Sequence, residues 1–323
     1  MNGACIAVCG NSKIESPEEC DDGNKNNNDG CSSTCKREVR TFNFTDCGKS
    51  GYQGPSQSQC NTAYGSSGTK VTVTNGYQFW TVPYDATFRI TAYGPAGKAR
   101  GATPGRGAIM RGDFALKKGD VLKILVGQQS DYTGSRDWYG GSGGTFVATN
   151  TNQALIVAGG GGGPRSQTGS NPTVSDACTC TSGKNASRTG SNWGLGGKNG
   201  AGGLRGRAAT GSHTPGGGAG FTGNGQVSDD RRYTPPNPTA ALSFINGGLG
   251  GIFKGGDNLR NDGGFGGGGS SAWGGAGGGG GYSGGGGDPN TGWSGGGGSF
   301  NKGTNQSNTV GNTGRGKVVI QAL

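Results

Sequence analysis

Ala154-Leu155-Ile156-Val157-Ala158 runs without a break into Gly159-Gly160-Gly161-Gly162-Gly163. The first five residues are a short apolar run with β-branched side chains, the signature of a buried strand. The next five carry no side chain. Whether those glycines are a loose loop or an ordered element decides the fold.

Upstream, other short strands lead to the same run. Val71–Thr74 and Tyr77–Val82 flank Asn75-Gly76, a strong two-residue hairpin signal. Phe88, Ile90 and Ala92 alternate with Arg89 and Thr91, so one face of that strand is expected to be buried and the other wet. Lys117-Lys118-Gly119-Asp120 turns into Val121–Val126, a nearly continuous apolar run expected of an inner strand. Thr145–Ala148 follows, and Lys317–Ala322 closes the chain. Short strands without helical periodicity predict an all-β antiparallel sandwich, and no amphipathic helix is read.

Downstream, glycine runs recur at 159–163, 194–206, 216–220, 247–251, 263–287 and 295–298. The strict every-third glycine of collagen is absent. Each run is long enough for several turns of a three-residue, left-handed extended helix rising about 3.1 Å per residue. Such helices approach closely on every side and can hydrogen-bond laterally, which satisfies backbone groups otherwise left unpaired. Ordering glycine is entropically costly, so many must pack together. Phe265, Trp273, Tyr282, Trp293 and Phe300 lie among the runs, and a flexible linker has no use for them. The glycine region, about 159–316, is therefore expected to be an inserted bundle of packed polyglycine helices.

Of nine cysteines, seven fall in the first sixty residues: Cys5, Cys9, Cys20, Cys31, Cys35, Cys47 and Cys60. That density predicts a disulfide-rich module in an oxidising, extracellular compartment, though the odd count leaves one cysteine over. Cys178 and Cys180 stand apart in the glycine region, where a bond between them is expected to be strained and a bridge to the head or to another molecule is open. Sequons at Asn43, Asn185 and Asn305 are candidate glycosylation sites. Met1–Gly10 lacks the apolar stretch of a secretory signal, so a secreted protein of this sequence is expected to be mature or incomplete. No apolar run is long enough to span a membrane.

The net charge of +10 hides an asymmetry. Residues 1–35 hold two lysines against six acids, a net of −4, and the rest of the chain is correspondingly basic. The division expected is an acidic cysteine module at 1–35, a strand-like connector at 36–45 and a glycine-rich domain at 46–323.

Two resemblances refine this. Phe44-Thr-Asp-Cys47-Gly48, Gly51-Tyr-Gln-Gly54-Pro55, Phe79-Trp-Thr-Val82-Pro83, Phe88-Arg-Ile-Thr-Ala-Tyr-Gly94, the segment from Lys118 to Gln129 and that from Ala154 to Gly163 resemble the glycine-rich extracellular domain of the anaplastic lymphoma kinase and leukocyte tyrosine kinase family. The resemblance implies a tumour-necrosis-factor-like jelly roll beside a polyglycine bundle. It also implies a Cys47–Cys60 disulfide. Cys9-Gly-Asn, Glu19-Cys20-Asp21-Asp22-Gly23-Asn24 and the run from Asp29 to Cys35 resemble one unit of the myxobacterial-type cysteine-rich repeat.

Chemistry is sparse. Asp21, Asp22, Asn24 and Asp29 offer hard oxygens between turns, a candidate calcium site or a set of Asx-turns. His213, the single histidine, is read as a loop residue, and with one C-x-C it cannot supply a zinc centre. Neither G-x-S-x-G nor H-E-x-x-H occurs, so no enzyme is expected. Arg-Gly pairs at Arg100, Arg106, Arg111, Arg205 and Arg315 are scattered and form no Arg-Gly-Gly repeat, which disfavours nucleic acid. Trp138-Tyr139, in a glycine loop, are candidate contact residues whose competing role is packing. The function expected is an extracellular, non-catalytic structural protein, self-assembling head to tail into a fibril or surface coat. The acidic head would meet the basic body of a neighbour, and the connector would add a strand to the neighbouring sheet. The alternative is a soluble ectodomain or adhesin that binds a protein or an acidic glycan.

Overall fold

A computed structural model describes residues 7–27, 29–38, 40–65, 69–99, 103–132, 138–164, 172–187, 189–190, 193–207, 214–228, 239–253, 261–272, 274–289 and 292–323. Thirteen strands occur in it: β1 (Thr41–Thr45), β2 (Thr72–Thr74), β3 (Tyr77–Thr81), β4 (Ala86–Tyr93), β5 (Gly107–Leu116), β6 (Val121–Leu125), β7 (Asp131–Tyr132), β8 (Thr145–Thr149), β9 (Ala154–Ala158), β10 (Asn261–Asp262), β11 (Phe300–Asn301), β12 (Thr304–Asn312) and β13 (Lys317–Ala322). One antiparallel sheet has the order β1-β13-β4-β5-β12, and a second the order β11-β9-β8-β6-β3-β2. The hairpin signal forms the β2–β3 turn: Asn75 and Gly76 take φ of 50° and 81°, and Thr74 pairs with Tyr77.

The main core lies between the sheets. Phe88, Ile90 and Ala92 on β4 are fully buried and face Leu122 and Ile124 on β6, together with Phe44, Met110 and Val318. The six-stranded sheet is covered on its other face too. There Tyr77, Leu125, Phe146 and Val157 pack against Phe221, Phe244 and Phe265 from the glycine-rich segments. Phe244 stacks on Phe221 at 4.8 Å and on Phe146 at 5.1 Å, and meets Tyr77 edge-on at 5.4 Å. A strand buried on both faces carries apolar residues in succession rather than in alternation. This is why Ala154–Ala158 reads as a continuous apolar run and Val121–Leu125 as one interrupted only by Lys123.

The glycine segments satisfy their backbones with one another. Gly277 and Gly280 donate to the carbonyls of Tyr139 and Ser142; Gly278 and Gly281 donate to Gly216 and Ala219; Gly279 and Tyr282 donate to Gly295 and Gly298. Six consecutive N–H groups thus find acceptors at 2.8–3.2 Å in three neighbouring segments, each revisited after three residues. The same period runs with opposite polarity where Gly216 and Ala219 donate to Ser270 and Gly267. Neighbours on every side leave no room for side chains. A Cβ on Gly143 would lie 1.8 Å from the Phe265 carbonyl oxygen, and one on Gly218 2.1 Å from that of Gly279.

Three sequence expectations change. The connector's Thr41–Thr45 is β1, an edge strand paired along its whole length with β13 of its own chain. Those residues are thus part of the body's sheet rather than a separate link, with one backbone edge committed to β13. Residues 304–312, placed within the glycine insertion, form a nine-residue edge strand paired with β5. A helix, α1 (Gln57–Tyr64), was not expected; Ser56 accepts from the Gln59 N–H and the Gln59 side chain accepts from the Ser56 N–H, a reciprocal capping box.

The bundle's packing yields a paired prediction. Gly143→Ala forces a backbone collision and is expected to cost about 3 kcal/mol or more in denaturant unfolding. Gly311→Ala, whose Cβ meets nothing within 4 Å, is expected to stay within about 0.5 kcal/mol of wild type.

Candidate interaction surfaces

The head is tied by Cys9–Cys35 and Cys20–Cys31, and Cys47 on the body is bonded to Cys60 on α1. Cys5 lies outside the described residues, as do His213, Trp273 and Arg100. Cys178 is bonded to Cys180. The sequence left open a bridge from one of them to the head or to another molecule; here the chain bends at Thr179 and brings their Cα atoms to 5.1 Å, within ordinary disulfide reach. Cys9, Glu18 and Cys35 also come together, but the two sulfurs are spent on their disulfide.

The four candidate calcium ligands divide into two groups. Asp21 is a loop organiser, its carboxylate accepting the N–H groups of Gly10, Asn11, Ser12 and Gly23 at 2.8–3.0 Å. Asp22, Asn24 and Asp29 cluster separately. Asn24 donates to Asp29 Oδ2 at 3.0 Å, and partial burial together with the neighbouring Asp29 pushes the Asp22 carboxyl up from its ordinary range. Glu19 is held below its ordinary range, chiefly by the hydrogen bond from Lys36 Nζ at 2.8 Å.

The head docks on the body through Gly30, whose φ is +124° and whose Cα faces the ring of Tyr84. Glu38 Oε2 accepts the Gly30 N–H at 3.2 Å, and the Tyr84 hydroxyl donates to the Glu38 carbonyl at 3.3 Å. A cleft of about 470 Å³ runs along this junction, walled by Ile14, Asp22, Asp29, Tyr84, Asp85 and Lys118.

A larger groove, about 820 Å³, opens where β1, an edge of one sheet, faces β2 and β3 at the edge of the other. Its floor is apolar, with Phe42, Val71, Phe79 and Trp80, and its cations are Arg40, Lys70 and Lys118. Among the described residues, no carboxylate lines it. The Arg40 guanidinium sits 5.2 Å from the centre of the Phe42 ring. Sequence reading did not find this groove, because its three cations are far apart along the chain.

The remaining candidates are spread over the molecule. Asn43 is exposed on β1 between buried Phe42 and Phe44. Asn185 accepts the Gly196 N–H at 2.9 Å, and Asn305 donates to Asp113 at 3.1 Å. Arg106 and Arg315 each pair with a buried carboxylate at 2.6 Å, Asp176 and Asp46 respectively. Tyr139 is buried and Trp138 half-buried.

Comparison with known proteins finds similarity to one domain family and to a receptor. Residues 1–36 match the family model described as a domain of unknown function, DUF4215. The chain is similar to the leukocyte tyrosine kinase receptor. Identity to the Mus musculus protein is 41% over 95 residues, covering 27% of this chain. The match spans 11% of that receptor's length, so only a small part of the relative is represented. Together with the disulfides, this similarity places the chain outside the cell or at its surface. Among the described residues, no helix is long and apolar enough to cross a membrane.

Gly30→Ala is expected to lift the head from the body, since a Cβ there would lie 2.7 Å from Tyr84 Cγ. Trypsin cleavage after Lys36 or Arg37 should accelerate while the main unfolding transition stays in place. Unchanged cleavage would mean that this contact does not hold the head.

Proposed function

We propose that the chain is a non-catalytic extracellular subunit that works by contact, assembling head to tail with copies of itself into a fibril or surface coat. Its body is read as a jelly roll stiffened by a bundle of polyglycine helices. The three-residue recurrence of lateral hydrogen bonds supports the helices, and the crossing of the chain between sheets at β3–β4, β5–β6 and β11–β12 supports the jelly roll. The observation that carries self-assembly is charge complementarity within one sequence: a head of net −4 and a remainder of net +14. A contact between two different patches on identical molecules propagates unless it closes into a ring.

Sedimentation across a wide concentration range, with electron microscopy of the same samples, tests this. Size should grow with concentration and fall back towards monomer in about 1 M salt, where the screening length is about 3 Å. A monodisperse monomer under all conditions would overturn it. A second reading, a soluble ectodomain that binds a protein or glycan, draws on the similarity to a receptor.

Calcium is proposed for the head at Asp22, Asn24 and Asp29, with Asp21 excluded because its oxygens are already bound by N–H groups. A cation between Asp22 and Asp29 would favour the charged carboxylates, against the desolvation and the neighbouring Asp29 that push the Asp22 carboxyl up. Calorimetric titration should give heat that Asp29→Asn abolishes; the absence of heat at millimolar calcium would remove the site.

A further inference from the structure

We infer that the Cys178–Cys180 disulfide is a thiol-exchange site, at which a thiolate attacks Cys180 and expels Cys178. The inference goes beyond the self-assembly reading and stands without it.

This bond differs from the other three in exposure. Cys35, Cys31, Cys47 and Cys60 are buried, so each of the others has at least one shielded end. Cys180 is exposed and Cys178 half-buried. Attack on a disulfide needs open access to one sulfur, and exposed disulfides are the exchangeable ones. The bond differs also in what it ties together. Its cysteines are 2 residues apart, against 26, 11 and 13 for the others, so it closes the smallest loop and constrains the unfolded chain least. The segment is held without it. The Cys178 N–H donates to the Gly297 carbonyl at 2.9 Å, the Ser299 N–H to the Cys180 carbonyl at 2.7 Å, and the Ser299 hydroxyl to the Cys178 carbonyl at 2.6 Å. Opening the bond therefore leaves both cysteines in place to close it again.

The two sulfurs are not equivalent. The Cys180 N–H donates to Cys178 Sγ at 3.1 Å, a contact that strengthens when that sulfur becomes a thiolate. Cys180 Sγ lies 3.3 Å from the Ser182 carbonyl oxygen, whose partial negative charge opposes a thiolate there. Cys178 is thus the better leaving group, and Cys180, the more exposed of the two, is the sulfur attacked.

The step balances without an added oxidant. The attacking thiol first loses its proton to water. Its sulfur forms a bond to Cys180 Sγ while the Cys178–Cys180 bond breaks, and the bonding pair leaves on Cys178, which then takes a proton from water. The attacking sulfur is oxidised as Cys178 is reduced, and return of Cys178 reverses the step. The thiolate is supplied by a small molecule or by Cys5 of a second copy, the one of nine cysteines that the four bonds do not use.

Adduct mapping tests the assignment. The full-length chain carrying Cys5→Ser is incubated with reduced glutathione under native conditions, quenched in acid and capped with maleimide. Fragment-ion spectra should place glutathione on Cys180 and maleimide on Cys178, with at least about tenfold less of either on the other six bonded cysteines. Glutathione chiefly on Cys178, equal labelling of all four bonds, or no adduct above that of the buried bonds would each overturn the inference. A non-reducing gel of wild type without added thiol then distinguishes the sources. A covalent dimer that Cys5→Ser and Cys180→Ser each remove supports exchange with a second copy; adduct without such a dimer supports exchange with small thiols.

Discussion

Every glycine N–H and carbonyl in the body must find a partner, and the rest of the architecture depends on how it does so. A buried backbone without side chains has no polar group but its own amide with which to satisfy its neighbours. The solution is lateral: Gly277 to Tyr282 donate in turn to three adjoining segments and return to each after three residues. Close approach is a condition of those bonds. Glycine is therefore required by the neighbours as much as by the local backbone, as the 1.8 Å clearance at Gly143 makes plain.

That packed layer explains the aromatic residues. Hydrogen bonding between glycine segments supplies little apolar burial, so attachment to the sheets comes from Phe221, Phe244 and Phe265, seated on Tyr77, Leu125 and Phe146. The six-stranded sheet thereby becomes the middle of three layers. The five-stranded sheet keeps its outward face polar, with Arg89 paired to Asp113 across β4 and β5 at 2.8 Å. Rigidity and polarity are thus segregated by layer.

Legibility in the sequence followed the range of the interaction. Asn75-Gly76 marked its hairpin because a two-residue turn is decided by those two residues, and Phe88, Ile90 and Ala92 marked a buried face because alternation is local. The capping box of α1 was present as Ser56-x-x-Gln59 but was overshadowed by the surrounding turn residues. β12 gave no alternation at all: Thr304–Asn312 is polar and largely exposed, and pairing with β5 alone makes it a strand. Asp21 shows the same limit in the head. Its acidity was visible, but its commitment to four N–H groups was not.

The sequence by itself determined most strands of the two main sheets, the order expected of the glycine runs, the oxidising compartment and the opposition in charge between head and body. These depend on residue type and on spacing along the chain. Tertiary structure alone decided that Thr41–Thr45 joins its own sheet, that Cys178 turns back to Cys180, and that Arg40, Lys70 and Lys118 share one groove. The physical reason is that a groove between sheet edges is made by residues distant in sequence. Its chemistry exists only once the two sheets have packed.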